Sequence, residues 1–125
     1  MANIVVADDH PDIRDVVTTG LRRAGHTVLA CEDGGELLAM VRATRPDLVV
    51  TDNQMPVLTG LQVVTMLRRD PATADIPVIL ATSSVPPGED QRLLGDSDQI
   101  LPKPFTAGQL RDAVDNALRY ATTTG

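Results

Sequence analysis

Carboxylate, hydroxyl and ammonium side chains stand directly after short apolar runs at four places in the chain. Asp8 and Asp9 follow the first run, Asp52 the third, Thr82 the fourth and Lys103 the fifth of five such runs. Three carboxylates brought together would repel one another unless a cation joined them. Oxygen ligands suit Mg²⁺, and a carboxylate held beside that ion can act as a nucleophile towards phosphorus. These residue types therefore indicate phosphoryl transfer at a magnesium site.

The lysine in this set has a distinctive place in the composition. Lys103 is the only lysine in the chain, beside ten arginines. Either compositional bias produced this count, or position 103 needs a compact ammonium that a guanidinium cannot replace. An ammonium at this position would neutralise charge that develops on phosphoryl oxygens, and the Thr82 hydroxyl could hydrogen-bond to one of them.

Five short apolar runs alternate with segments of helical periodicity, and this order determines the predicted fold. The runs are residues 3–7, 27–31, 47–51, 76–81 and 99–101, and all are predicted to be strands. Alternation of this kind predicts an α/β fold, a doubly wound five-stranded parallel sheet with helices on both faces. Sites in such sheets form beyond the carboxyl ends of the strands, which is where the chemical residues stand.

Length and composition limit the remaining possibilities. The chain has 125 residues and a net charge of −6, which predicts one domain over residues 1–121 and no direct binding to nucleic acid. Residues 122–125 read as a polar tail and a possible start of a linker. No signal peptide or run of about 20 apolar residues is present, so we expect a cytoplasmic protein without membrane contact. The single cysteine, Cys31, cannot form an internal disulfide and is predicted to be a buried small hydrophobe.

Four motifs, taken together and in order, carry a family resemblance. They are residues 6–10 (VADDH), 47–56 (DLVVTDNQMP) with Gly60 beyond, 79–83 (ILATS) and 103–105 (KPF). Over essentially its whole length the chain resembles the receiver domain of two-component response regulators. The resemblance implies a flavodoxin-like sheet with strand order 2-1-3-4-5.

The same resemblance implies a role for each site residue. Asp52 would accept a phosphoryl group from a histidine kinase or a phosphotransfer protein. Asp9, Asp52 and the carbonyl of Gln54 would bind Mg²⁺ directly, and Asp8 would act mainly through a water molecule. Thr82 and Lys103 would contact the phosphoryl group, and the Lys103–Pro104 peptide bond would be cis. Such a domain is not a conventional enzyme, but it catalyses its own phosphorylation and slow dephosphorylation.

The resemblance also implies that phosphorylation alters the surface near the fourth helix and fifth strand, where an output protein or a fused effector domain would respond. The sequence of this chain departs from the family at that surface. Ile100 occupies the position where the family usually has Tyr or Phe. Residues 86–88 (PPG) leave at most a short helix over residues 89–94. We therefore expect phosphorylation to be relayed through Thr82 and the loop after it, and the output surface is either atypical or shows ordinary loop variation. His10 could contact metal-bound water, but a loop or capping role is favoured.

Three alternatives compete with a phosphorylated receiver. The first is an interaction module that has kept the fold and works without phosphorylation. The second is a phosphatase with an aspartyl nucleophile, but such enzymes usually have a second acid where this chain has Gln54. The third is a flavodoxin-like nucleotide binder, whose first loop should cradle phosphate, whereas Asp8 and Asp9 would repel it. The sequence leaves open the stimulus, the kinase and whether the domain stands alone.

Overall fold

The computed structural model describes residues 2–83 and 98–124, with side chains as far as Arg119. Its strands are β1 (Asn3–Ala7), β2 (Thr27–Cys31), β3 (Leu48–Asp52), β4 (Val78–Thr82) and β5 (Gln99–Pro102). The helices within these residues are α1 (Pro11–Arg23), α2 (Gly34–Thr44), α3 (Gly60–Arg69) and α4 (Ala107–Thr124). In this part of the chain no helix combines the length and the apolar character needed to cross a membrane.

The five strands form one parallel sheet in the order β2-β1-β3-β4-β5, as predicted. β3 and β4 are buried along their whole length, because they lie inside the sheet and helices cover both of its faces. β2 is an outermost strand of the sheet, and three of its five residues are exposed. The register places Asp52 opposite Ala81 and Thr82 opposite Pro102, so the last residues of β3 and β4 lie at the same edge of the sheet.

A separate aliphatic core lies on each face of the sheet. On one face α1 and α4 pack against alternate strand residues such as Ile4, Val50 and Ile79. On the other face α2 and α3 pack against the residues between them, such as Val5 and Val49. The pleat sends successive side chains to opposite faces, so a continuous apolar run serves both cores at once.

Side-chain caps set the beginnings of the two helices that flank the site. Thr59 and Gln62 form a reciprocal capping box at the start of α3, with hydrogen bonds of 3.1 Å and 2.8 Å. Thr106 caps α4 in the same way, accepting from the Gln109 amide at 3.0 Å while the Gln109 side chain accepts from Thr106.

Several element boundaries differ from the prediction by one or more residues. β4 begins at Val78 rather than at residue 76, because Pro77 has no N–H to donate to the ladder. β3 is shifted by one residue and includes Asp52. The last helix continues to Thr124, into the residues predicted to be a polar tail. The short helix predicted over residues 89–94 lies outside the described residues.

An ion pair joins α3 to the residue before β5. Arg68 donates to both carboxylate oxygens of Asp98 at 2.7 Å, and its other terminal nitrogen donates to the Ile76 carbonyl at 2.9 Å. The Asp98 carboxylate also accepts from the Val78 amide at 2.7 Å. The Asp98 side chain has 0% exposed surface, so this carboxylate organises the entry to β4 and β5 from inside the protein.

The loop after β3 contains a strained residue. Val57 has φ 73°, a left-handed conformation that is costly for a β-branched side chain, and 76% of its surface is exposed. Val57→Gly is expected to raise the free energy of unfolding by about 0.5–1 kcal/mol, because little buried surface is lost and the strain is relieved. Urea denaturation measures this change. Val57→Ala, which keeps a Cβ, should gain less, and an equal or larger gain would show that strain is not the cause.

Cys31 lies at the end of β2 and is 4% exposed. Burial raises the pKa of its thiol from 9.0 to about 12, and the nearby carboxylates of Glu36 and Asp33 add to the effect. The thiol is therefore protonated and shielded in the folded chain, as predicted for a buried small hydrophobe.

Reaction of Cys31 with a disulfide reagent below pH 9.0 is expected to be slow and to require unfolding of the chain around it. Between pH 9.0 and about 12 the unfolded chain loses this proton and the folded chain keeps it, so stability should fall as the pH rises. Cys31→Ala should have a flatter stability profile in that range. Fast reaction under native conditions would contradict the predicted shielding.

Candidate functional site

The candidate site lies at the carboxyl edge of the sheet, where the ends of the central strands converge. Asp8 directly follows β1, Asp52 ends β3, and Lys103 directly follows β5. Thr82 ends β4, and its carbonyl accepts a 2.8 Å hydrogen bond from the Lys103 amide. Residues far apart in the chain thus meet because parallel strands bring their carboxyl ends to one edge.

Four side chains at this edge could together hold a metal ion. One ligand atom from each of Asp8, Asp9, His10 and Asp52 lies within 4.8 Å of all the others. Asp8 and Asp52 are buried, with 4% and 5% of their surface exposed, whereas Asp9 and His10 lie towards solvent. Carboxylate oxygens are the ligands that Mg²⁺ prefers, so this set fits that ion.

Lys103 supplies the positive charge among these carboxylates. Its Nζ lies 2.9 Å from Asp8 Oδ2 and 3.5 Å from Asp52 Oδ2, and only 12% of its side chain is exposed. The ammonium therefore bridges two buried carboxylates that would otherwise repel each other. This geometry suits a compact ammonium and supports the interpretation that position 103 needs a lysine.

Opposing influences act on the ionisation of Asp52. Burial is the largest and raises the pKa of the carboxyl; the Lys103 ammonium lowers it, and the charge of Asp8 raises it again. Backbone hydrogen bonds from Asn53 and Gln54 lower it further, yet the pKa remains above its ordinary value of 3.8. The negative charge on Asp52 is therefore only partly compensated, and an added cation would stabilise it.

The loop that follows Asp52 is fastened to the start of α3. The Gly60 amide donates to the Asn53 carbonyl at 2.9 Å, and the Asn53 side chain accepts from the Leu61 amide at 3.1 Å. A Cβ at Gly60 would lie 2.6 Å from the Asp52 carbonyl oxygen, so this approach requires glycine. On the other side of the site Arg14 donates to the Asp8 carbonyl at 2.8 Å, which holds the end of β1.

A cleft of about 540 Å³ opens beside Asp52. Gln54, Ser83 and Lys103 line its polar side. Its apolar side comes from α1 and from the turn after β5, including Val16 and Phe105. The buried carboxylate is thus reached from a surface groove that could admit a phosphorylated group.

Comparison with known proteins agrees with this architecture and site. A family model described as the response regulator receiver domain matches residues 4–115. The chain belongs to this receiver domain family. It is therefore a receiver domain of the kind found in two-component response regulators, and the resemblance inferred from the sequence motifs is confirmed.

Relatives of the receiver domain occur alone and within longer regulators. The domain is 41% identical to protein PilH of Pseudomonas aeruginosa over 83 residues, which are 66% of this chain and 69% of PilH. It is 39% identical to the transcriptional regulatory protein PrrA of Mycobacterium leprae, over 93% of this chain and 49% of PrrA. The chain spans about half the length of PrrA and of the phosphate regulon transcriptional regulatory protein PhoB of Pseudomonas aeruginosa, to which it is also similar.

A solved structure supports the fold independently. The chemotaxis response regulator CheY4 of Vibrio cholerae superposes with a TM-score of 0.86 at 30% identity, covering 94% of this receiver domain and 99% of CheY4. The predicted flavodoxin-like fold with strand order 2-1-3-4-5 is confirmed.

The structure brings the residues predicted for the site to the carboxyl ends of the strands. Asp8, Asp9, Asp52 and Lys103 come together, and the Lys103–Pro104 peptide bond is cis. Thr82 is buried at the same edge. Gln54 lines the cleft, and its backbone hydrogen-bonds to Asp52.

Two contacts of the site had little or no signal in the sequence. His10 occupies the N-cap position of α1, but its side chain makes no capping bond and instead approaches Asp8 and Asp9. The second is the contact from Arg14 to the end of β1; its only signal in the sequence is its position one helical turn after His10. Ile100, which replaces the usual aromatic residue, is half-buried in β5.

Proposed function

We propose that Asp52 accepts a phosphoryl group from a histidine kinase or phosphotransfer protein in a Mg²⁺-dependent reaction. The observation that carries this proposal is the position of the Asp52 carboxylate. It is buried beside the Asp8–Asp9 pair, lies 3.5 Å from the Lys103 ammonium and adjoins an open cleft. A nucleophile, countercharges and an approach path thus occur in one place.

Each residue of the pocket has a part in the transfer. The Asn53 and Gln54 amides orient the Asp52 carboxylate by backbone hydrogen bonds. An Asp52 oxygen forms the new bond to phosphorus while the phosphorus–nitrogen bond of the donor phosphohistidine breaks. Lys103 then pairs with the phosphoryl oxygens, and the Thr82 hydroxyl donates a hydrogen bond to one of them.

The metal would be held by Asp9, Asp52 and the Gln54 carbonyl, with Asp8 acting mainly through a water molecule. When bound, Mg²⁺ supplies positive charge against the phosphoryl oxygens. The raised pKa of Asp52 supports this assignment, because burial outweighs the nearby Lys103 ammonium and leaves the charge of that carboxylate only partly compensated. Phosphorylation and slow dephosphorylation are then properties of the domain itself.

The phosphorylated domain is proposed to act in the cytoplasm through a change of surface near β5 and the segment before it. The partner is an output protein or a fused effector domain. Curated relatives of about twice this length are named as transcriptional regulators, which supports the second possibility. With Ile100 in place of the usual aromatic residue, the change is proposed to pass through Thr82 and the loop after it.

Incubation with acetyl phosphate and Mg²⁺ tests the proposal. Intact-mass spectrometry should show the gain of one phosphoryl group, and EDTA should prevent it. An absence of any gain, or a gain that persists in Asp52→Ala, would favour a phosphorylation-independent interaction module. Turnover of small phosphate esters would instead indicate a phosphatase.

A further inference from the structure

One of the four candidate ligand atoms at the site is a nitrogen. His10 Nδ1 lies 3.1 Å from Asp8 Oδ1 and 3.1 Å from Asp9 Oδ1. It belongs to the same group of ligand atoms as the Asp52 carboxylate, all within 4.8 Å of one another. The site therefore offers an imidazole in addition to its oxygens.

The local backbone directs this imidazole towards the carboxylates. The His10 amide donates to Asp8 Oδ1 at 2.9 Å, which folds the loop back over Asp8. Pro11 begins α1 with a φ that already suits a helix, so the helix starts without a capping bond from the His10 side chain. The ring is 63% exposed and lies at the rim of the site, where an ion would enter from solvent.

The spacing matches that of neighbouring ligands on one ion. Ligands about 2.1 Å from an octahedral dication are separated by about 3.0 Å along each edge of the octahedron. The two distances from His10 Nδ1, both 3.1 Å, agree with such edges. A hydrogen bond from the ring to the carboxylates would give similar distances. In that case His10 would only position the carboxylates, and its loss would weaken the binding of every divalent ion to the same extent.

We propose that His10 is a metal ligand and that its imidazole raises the affinity of the domain for first-row transition dications without raising its affinity for Mg²⁺. The inference rests on the proposed function, because the carboxylates are those assigned to Mg²⁺. Imidazole nitrogen is a favourable ligand for cobalt, nickel and zinc and a poor one for magnesium. The identity of residue 10 therefore strengthens the binding of ions of intermediate hardness relative to Mg²⁺.

Calorimetric titration of the tag-free chain with Co²⁺ and with Mg²⁺ tests the inference. The wild-type chain should bind Co²⁺ at least about ten-fold more tightly than Mg²⁺, and His10→Leu should weaken Co²⁺ binding by about ten-fold or more. Mg²⁺ affinity should change by less than about two-fold in the same variant, since an oxygen-selective ion gains little from the imidazole. The visible spectrum of bound Co²⁺ should shift when the nitrogen ligand is removed.

Two further variants separate ligation from positioning. His10→Asn keeps a hydrogen-bond donor near the carboxylates but not the imidazole, and should lose Co²⁺ affinity while keeping Mg²⁺ affinity. His26→Gln removes the only other histidine of the chain and should bind both ions as the wild type does. Circular dichroism of each variant verifies that it is folded.

Equal losses for both ions in His10→Leu, or unchanged Co²⁺ binding and spectrum, would overturn the inference and leave the magnesium site intact. If the wild-type chain binds neither ion, the inference and the proposed magnesium-dependent function both fail. If Mg²⁺ binds and supports phosphorylation while Co²⁺ binding does not depend on His10, only the inference fails.

Discussion

Asp52→Asn is expected to take up no phosphoryl group from acetyl phosphate and Mg²⁺, and to be more stable than the wild-type chain at neutral pH without metal. The first result follows because the amide removes the nucleophilic carboxylate that adjoins the cleft. The second follows from the electrostatics of the pocket. A buried carboxylate whose pKa is raised is held at a cost when it is ionised, and an amide of nearly the same shape avoids that cost.

The pH dependence of this stability difference has a definite sign. The pKa of Asp52 is higher in the folded chain than its ordinary value of 3.8, so the folded state retains the proton over a range in which the unfolded state has lost it. Ionisation of Asp52 therefore lowers stability as the pH rises through that range. The stability gain of Asp52→Asn should be present at neutral pH and should vanish below the ordinary value.

Mass spectrometry and urea denaturation measure the two effects on the same sample. Asp75→Asn, which alters an exposed aspartate before β4, is a matched control and should behave as the wild type in both. Mg²⁺ should stabilise the wild-type chain more than Asp52→Asn, because it binds the charge that the variant lacks. A phosphoryl gain in Asp52→Asn, or a loss of its stability at neutral pH, would contradict the assignment.

Much of the fold could be predicted because each element carries its own local signal. Residues such as Val49 and Val50 point to opposite faces, and an apolar run without alternation is what a parallel strand covered on both sides requires. The boundary at β4 was wrong by two residues, because Pro77 contributes an apolar ring to the pattern but no donor to the ladder.

The candidate site was predictable to a similar extent and for a related reason. Asp8, Asp52 and Lys103 each stand at a strand end, and the parallel topology then brings them together. The orientation of the His10 ring was not predictable, because it depends on how the loop folds back onto Asp8. Spacing along a sequence gives the position of a residue on an element, but it does not give the direction of a loop side chain.

The pairing of Arg68 with Asp98 had no local signal at all. The two residues are thirty positions apart in the chain, and Asp98 lies in a polar stretch that resembles an ordinary turn. The Asp98 carboxylate matters because α3, β4 and the start of β5 meet at it. This meeting arises only when the elements pack together, so no stretch of the sequence indicates it.

Asp98→Ala is accordingly expected to lower the free energy of unfolding by about 3 kcal/mol. The substitution leaves the half-buried Arg68 guanidinium without its carboxylate and the Val78 amide without its acceptor. Asp98→Asn keeps an acceptor for Val78 but not the charge, and should lose roughly half as much. Denaturation in urea measures both changes.

A double-mutant cycle with Arg68→Met distinguishes loss of the pair from loss of packing. If the carboxylate acts through Arg68, the double variant should be less destabilised than the sum of the single variants, because no unpaired charge remains. Asp98 precedes β5 whereas Lys103 follows it, so the pair lies at the opposite edge of the sheet from Asp52. Asp98→Ala should therefore still accept a phosphoryl group at temperatures where it remains folded. Strict additivity in the cycle, or full stability of Asp98→Ala, would show that the buried ion pair does not hold the two strands.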